Sequence, residues 1–151
     1  MSNESFFEVV NCYKNNNIQI PKRQTKYSAG YDLAAAIETK ILPQQLAIIP
    51  TGLKVFLPYN QVLLIYSRSS LFIKKKLMLT NNVGVIDSDY YNNSENEGHI
   101  LISLYNFSNQ TVIIDKNERI AQGIFQNFLL TKNDNNESKI RKNGFGSTKK
   151  F

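Results

Sequence analysis

A single cysteine, Cys12, in 151 residues excludes an internal disulfide, and a reducing compartment is the natural inference. Histidine is equally scarce. His99 has no second imidazole or thiol near it in sequence, so a zinc site is not expected, and it reads as an ordinary loop-edge residue. No apolar run approaches the ~18 residues of a membrane helix. The opening MSNESFFEVVNCYK has no charged segment followed by an apolar one, so no secretory leader is read there. These absences point to a soluble, cytoplasmic protein without a membrane partner.

What is present fits one globular domain. The hydrophobic fraction is 42%, and 151 residues bury enough surface to fold without staples. A net charge of +6 suggests anionic partners, with a polyphosphate small molecule as one candidate and nucleic acid as another. The basic clusters Lys74–Lys76 and Arg141, Lys142, Lys149, Lys150 lack the interleaved aromatic residues of a single-strand binder, so no nucleic acid is expected.

Along the chain, strand-forming residues return every 8–12 positions, with Pro43, Pro50, Gly52 and Pro58 between Ile41 and Leu64. That spacing predicts an all-β sandwich or barrel rather than βαβ units. Phe6–Tyr13 reads as an opening strand, and Ile18–Pro21 as a second extended piece. Ser70–Lys76 is the best helix candidate, with Ser69 as its N-cap. Asn92–Gly98 reads as a surface loop and Lys132–Ser138 as a polar linker. The domain is therefore taken as 1–131, followed by a flexible linker and arm at 132–151.

Three places carry chemistry. Val83–Ile86 is a short apolar run broken by Gly84, which lets another molecule approach the backbone. It delivers Asp87 at a turn, where partial desolvation suits a general base, and Tyr90 and Tyr91 follow. Val62–Tyr66 runs straight into Ser67-Arg68-Ser69-Ser70, a cation and several hydroxyls that match phosphate oxygens. Small residues crowd Gly30 and Asp32, where bulk alone does not explain a carboxylate. In Ile120–Gln126 the alternation puts Gln122 on one sheet face with Ile120 and Ile124, so its amide needs a partner. Each has a plainer reading: a hairpin turn with solvated aspartates, simple helix capping, or Asp32 bonding its own turn.

Taken together, AGYDLAAA (29–36), SRSSLFIKK (67–75), NNVGVIDSDYY (81–91), NERIAQGIF (117–125) and RKNGFGST (141–148) resemble the trimeric dUTP pyrophosphatase (dUTPase) family, in that family's order. The resemblance implies a jelly-roll-like β-barrel with one short helix and a C-terminal arm swapped in a homotrimer, with active sites at subunit interfaces. It implies hydrolysis of dUTP to dUMP and pyrophosphate with Mg²⁺, which lowers dUTP and supplies dUMP for dTMP synthesis. Asp87 then corresponds to the carboxylate that deprotonates the attacking water. Tyr90 lies beneath the deoxyribose, and Asn81 with Gly84, Val85 and Ile86 reads uracil. Arg68, Ser69, Ser70 and Gln122 meet the triphosphate, and Asp32 is held near the metal through a water. In the arm, Arg141 meets the phosphates, Phe145 stacks on uracil, and Gly146, Ser147 and Thr148 cover the phosphate end. Ser67 stands where the family commonly has proline, and Asn92–Glu97 lengthens the turn after Tyr90 and Tyr91.

Two rival readings follow from the same residues. dCTP deaminase-like chemistry uses a similar fold, whereas zinc-dependent deamination is disfavoured because Cys12 and His99 cannot supply three ligands. A regulatory role through a protein partner at Asn92–Gly98 is compatible with the enzyme and additional to it.

Overall fold

Short apolar runs with alternating burial set the architecture. The computed structural model describes residues 4–134, and the chain there is almost entirely β. The strands are β1 (Phe6–Val9), β2 (Tyr31–Ala34), β3 (Thr39–Ile41), β4 (Leu46–Pro50), β5 (Leu53–Phe56) and β6 (Gln61–Tyr66). One short helix, α1 (Leu71–Lys75), precedes β7 (Leu77–Leu79), β8 (Gly84–Ile86), β9 (Leu101–Asn106), β10 (Val112–Ile114) and β11 (Arg119–Asn127). No helix among the described residues is long and apolar enough to cross a membrane.

The strands form a four-stranded sheet ordered β2-β11-β6-β8, a three-stranded sheet β4-β9-β7, and the pairs β1-β5 and β10-β3. Every ladder is antiparallel. β9 shows the cause most plainly. Ile102 and Leu104 point into the core while their neighbours face outward, the period-2 pattern of a strand with one buried face. Leu33, Ile49, Leu63, Ile114 and Ile120 meet them from other strands, all fully buried. Burying each such side chain is worth about 1.5–3 kcal/mol, so the core binds elements far apart in sequence.

Three expectations need correction. The opening strand stops at Val9, and Asn11–Tyr13 coils into a 3₁₀ turn, because Val10 N–H bonds the Gly52 carbonyl (3.0 Å) and Asn11 N–H bonds Glu97 Oε2 (3.0 Å). Ile18–Pro21 joins no ladder. The helix starts later than expected: Ser70, not Ser69, takes the N-cap position, without a side-chain capping bond. Lys76 ends the helix in the left-handed region (φ 55°), its N–H on the Phe72 carbonyl at 2.8 Å.

Candidate active site

β11 lies between β2 and β6, and the antiparallel register puts Gln122 opposite Asp32 on one side and Tyr66 on the other. Strand pairing thus gathers three of the expected motifs into one row. A bulge between Arg119 and Ala121 corrects the expected alternation: Ile120 and Ala121 are both fully buried, so Ile120 turns into the core while Gln122 stays on the outer face with Ile124. Gln122 Nε2 donates to the Ser67 carbonyl at 3.0 Å, fixing the strand exit where Arg68 begins. A Cβ on Gly30 would fall 2.3 Å from Gln122 Oε1, so any other residue there would push that amide from its present position.

Asp32 sits between two cations. Arg68 Nε is 3.2 Å from Asp32 Oδ1, and Arg119 Nη1 donates to Oδ2 at 3.1 Å. Arg68 Nη1 also donates to the Arg119 carbonyl at 3.2 Å. The carboxylate is 12% exposed and the guanidiniums more so, at 28% and 46%. The result is a pair of aligned positive forks at the surface, held by a mostly covered acid. Ser69 lies exposed beside them and Ser70 is half-buried.

The hairpin forms a second centre. β8 pairs with β6 through Ile86–Leu63, Val85–Leu64 and Gly84–Ile65. β8 is the sheet's edge, so half of its main-chain groups face away from β6. Asn81, Gly84, Val85, Ile86 and Tyr90 line a cavity of about 170 Å³ together with Ile65, Leu79, Leu101, Ile102 and Ser103. Gly84 is buried, and a Cβ there would press on Ile65 at 3.1 Å. Half-buried Asp87 caps a 3₁₀ turn, Ser88–Tyr90, its carbonyl accepting the Tyr90 N–H at 3.1 Å. Tyr90 is 4% exposed.

These two centres do not converge within one chain. Continuing the β6–β8 register places Asp87 beside Val62, whereas Arg68 leaves the opposite end of β6. At ~3.3 Å per residue that separates them by roughly 20 Å along the strand.

Among the described residues, no group of three or more His, Cys, Asp or Glu side chains could hold a metal. The arm residues Arg141, Phe145, Gly146, Ser147 and Thr148 lie outside the described residues.

A family model described as dUTPase matches residues 16–149. The chain belongs to the dUTPase family. It is 51% identical over 143 residues to the deoxyuridine 5'-triphosphate nucleotidohydrolase of Lactococcus lactis, covering 94% of this chain and 95% of that one. The Buchnera aphidicola nucleotidohydrolase of the same name is 37% identical, over 92% of this chain and 91% of its own. The crystal structure of the Streptococcus mutans dUTPase superposes with a TM-score of 0.81 at 45% identity, covering 84% of this chain and 98% of that one. The fold is accordingly the jelly-roll-like β fold of dUTPases.

Beside the hairpin of this dUTPase lie residues that sequence reasoning missed. His99 is not a loop-edge residue: it is 9% exposed, its Nε2 accepts the Gly52 N–H at 2.9 Å, and its ring packs on Tyr13. Gly52 (φ 72°) leads into β5, so the imidazole serves as a buried main-chain acceptor. Lys54, alone in an apolar strand, was the overlooked signal of a polar centre. Its Nζ donates to Glu97 Oε1 and Asn92 Oδ1, both at 2.7 Å, lies 3.6 Å from Glu8 and sits over the Tyr91 ring. Burial and the Glu8 carboxylate push the Tyr91 phenol up to about 12. Asn92–Gly98 is therefore not a plain surface loop, since Asn93 and Gly98 are buried and Glu97 is tied to Lys54 and Asn11. Arg119, given no role within NERIAQGIF, is the other missed residue.

Burial pushes the His99 imidazole below its ordinary 6.5, with Glu97 partly opposing. The folded protein then holds fewer protons on His99 than the unfolded chain does. Stability from this site is complete above 6.5 and declines as pH falls below that value toward the depressed folded pKa. The bond from the Lys54 ammonium holds the Glu97 carboxyl below its usual 4.5, so that contribution is lost only in a separate, more acidic window. Thermal melts from pH 7.5 to 5 are expected to show the first decline, and His99→Gln, which can still accept the Gly52 N–H, should flatten it. A parental slope in the variant would show that His99 is not its source.

Proposed function

We propose that this dUTPase-family chain hydrolyses dUTP to dUMP and pyrophosphate, lowering dUTP and supplying dUMP for dTMP synthesis. The observation that carries the reading is the hairpin cavity, lined by an amide, an open main-chain edge and Tyr90, with Asp87 directly after the lining residue Ile86 in the chain. Outward N–H and C=O groups of β8, with Asn81, suit the hydrogen-bonding edge of a flat pyrimidine, and a close-fitting hairpin would discriminate against a 5-methyl group. Asp87 orients and deprotonates the water that attacks the α-phosphorus. Arg68, Ser69, Ser70 and Gln122 bind the triphosphate, and Asp32 keeps Arg68 aimed.

Mg²⁺ fits such a site when the nucleotide brings most of its ligands. An ion held mainly by phosphate oxygens and waters needs no acidic cluster from the protein, and Asp32 is the residue through which one of those waters would be held. When bound, the ion offsets charge on the phosphate oxygens during attack.

The separation of Asp87 from Arg68 favours an active site shared between copies in a homotrimer. A second observation agrees. Leu46, Ile48, Met78 and Phe107 are each at least 38% exposed and share one outer face with Tyr105, beside an apolar groove of about 470 Å³. The segment 132–151 would act as the arm that covers the substrate, with Arg141 on the phosphates, Phe145 on uracil, and Gly146, Ser147 and Thr148 over the phosphate end. The exposed, free thiol of Cys12 suits the cytoplasm.

A pyrophosphate-release assay across nucleoside triphosphates tests the reading. We expect kcat/KM for dUTP to exceed that for dTTP and UTP by about 100-fold or more. Comparable rates on UTP, or ammonia from dCTP, would contradict it.

A further inference from the structure

We infer that Asn96, in the segment after Tyr90 and Tyr91, is a positioning residue that sets the tyrosine ring and thereby the discrimination between deoxyribose and ribose. The inference rests on the reading of Tyr90 as the wall beneath the sugar.

Tyr90 is gripped at both ends by the segment that follows it. Its hydroxyl donates to the His99 carbonyl at 2.8 Å and accepts from Asn96 Nδ2 at 2.8 Å. Its main-chain carbonyl accepts from Asn93 Nδ2 at 2.8 Å. Asn93 and Asn96 are themselves joined, Asn93 Nδ2 donating to Asn96 Oδ1 at 2.8 Å. Asn96 Oδ1 also accepts the Gly98 N–H at 3.1 Å, and the Asn96 carbonyl accepts the His99 N–H at 3.0 Å. Gly98 (φ 82°) closes the loop so tightly that a Cβ would lie 2.7 Å from the Tyr90 carbonyl. Glu97 anchors the loop to the barrel through Lys54.

The chemistry is that of a lever. Tyr90 lines the cavity, and its hydroxyl is fixed by two bonds, one to backbone and one to an amide. Rejection of a 2′-hydroxyl is a steric effect, and steric effects of this kind change over tenths of an ångström. Without the Asn96 amide the phenol loses one of the bonds that hold its hydroxyl, and the ring gains room to tilt away from the sugar.

The test measures kcat/KM for dUTP and for UTP in the parent, Asn96→Ala, Tyr90→Phe and the double variant, alongside thermal melts. Asn96→Ala is expected to raise the UTP:dUTP ratio about tenfold. Tyr90→Phe should give a similar change, and the double variant should add little to either, because both act at one hydroxyl. If Asn96→Ala fails to fold, Tyr90→Phe alone carries the ratio measurement. A parent that prefers dUTP, with variants that lose rate equally on both nucleotides or whose effects add in full, would overturn the role of Asn96. A parent without preference for dUTP would instead overturn the reading of the cavity, and this proposal with it.

Discussion

Asp87→Asn is expected to lower kcat on dUTP by about 10³-fold while leaving dUTP binding near the parental value. The substitution keeps size and shape. It also keeps the contact that shapes the turn, since the Tyr90 N–H bonds the Asp87 main-chain carbonyl rather than its carboxylate. What it removes is basicity at a half-buried position just past the cavity wall. A water attacking phosphorus must shed a proton, and an amide cannot take it. Single-turnover rates beside equilibrium titration with a non-hydrolysable dUTP analogue separate the two effects. Loss of binding with normal single-turnover chemistry would make Asp87 a binding group, and a parental rate would remove it from the reaction.

β6 and β8 were legible because apolar runs are local: they fall close to Val62–Tyr66 and Val83–Ile86. The need of Gln122 for a partner was also legible, since an amide among apolar neighbours must bond something. That its partner is the Ser67 carbonyl is a property of the β11–β6 register, which single-strand patterns do not contain. The bulge at Arg119–Ala121 escaped for the same reason. Helix capping by Ser69 failed by one residue, as helix ends commonly do when several hydroxyls adjoin.

Misreadings of a different kind concern long-range polar partners. His99 looked like a loop residue because Gly52, whose N–H it accepts, is far away in sequence. Asn92–Gly98 looked solvated because its composition is polar, yet Asn93 and Asn96 turn their amides to Tyr90 and to each other. Lys54 supplies the buried counter-charge that lets Glu97 fold inward. Arg119 stands in the motif NERIAQGIF, but only the β2–β11 pairing reveals Asp32 as its partner.

The second large effect concerns the division of the site. Arg68→Ala should cost about 10²–10³-fold in kcat/KM, as loss of a preorganised cation facing phosphate charge commonly does. Neither Asp87→Asn nor Arg68→Ala chains should then turn over dUTP appreciably by themselves. The β6–β8 register places these residues at opposite ends of the strand pair, and the proposed reading accordingly takes Asp87 from one copy and Arg68 from another. In a cyclic trimer containing both variants, one interface in the ring joins an intact Asp87 to an intact Arg68 in the right order.

Co-expressing the two inactive chains with different affinity tags and purifying through both tags isolates these mixed rings. About a third of the parental turnover per trimer is predicted, one competent site in three. Mixed assemblies no more active than the separate variants would mean that Asp87 and Arg68 serve the same site from the same chain, and would contradict an active site divided between subunits.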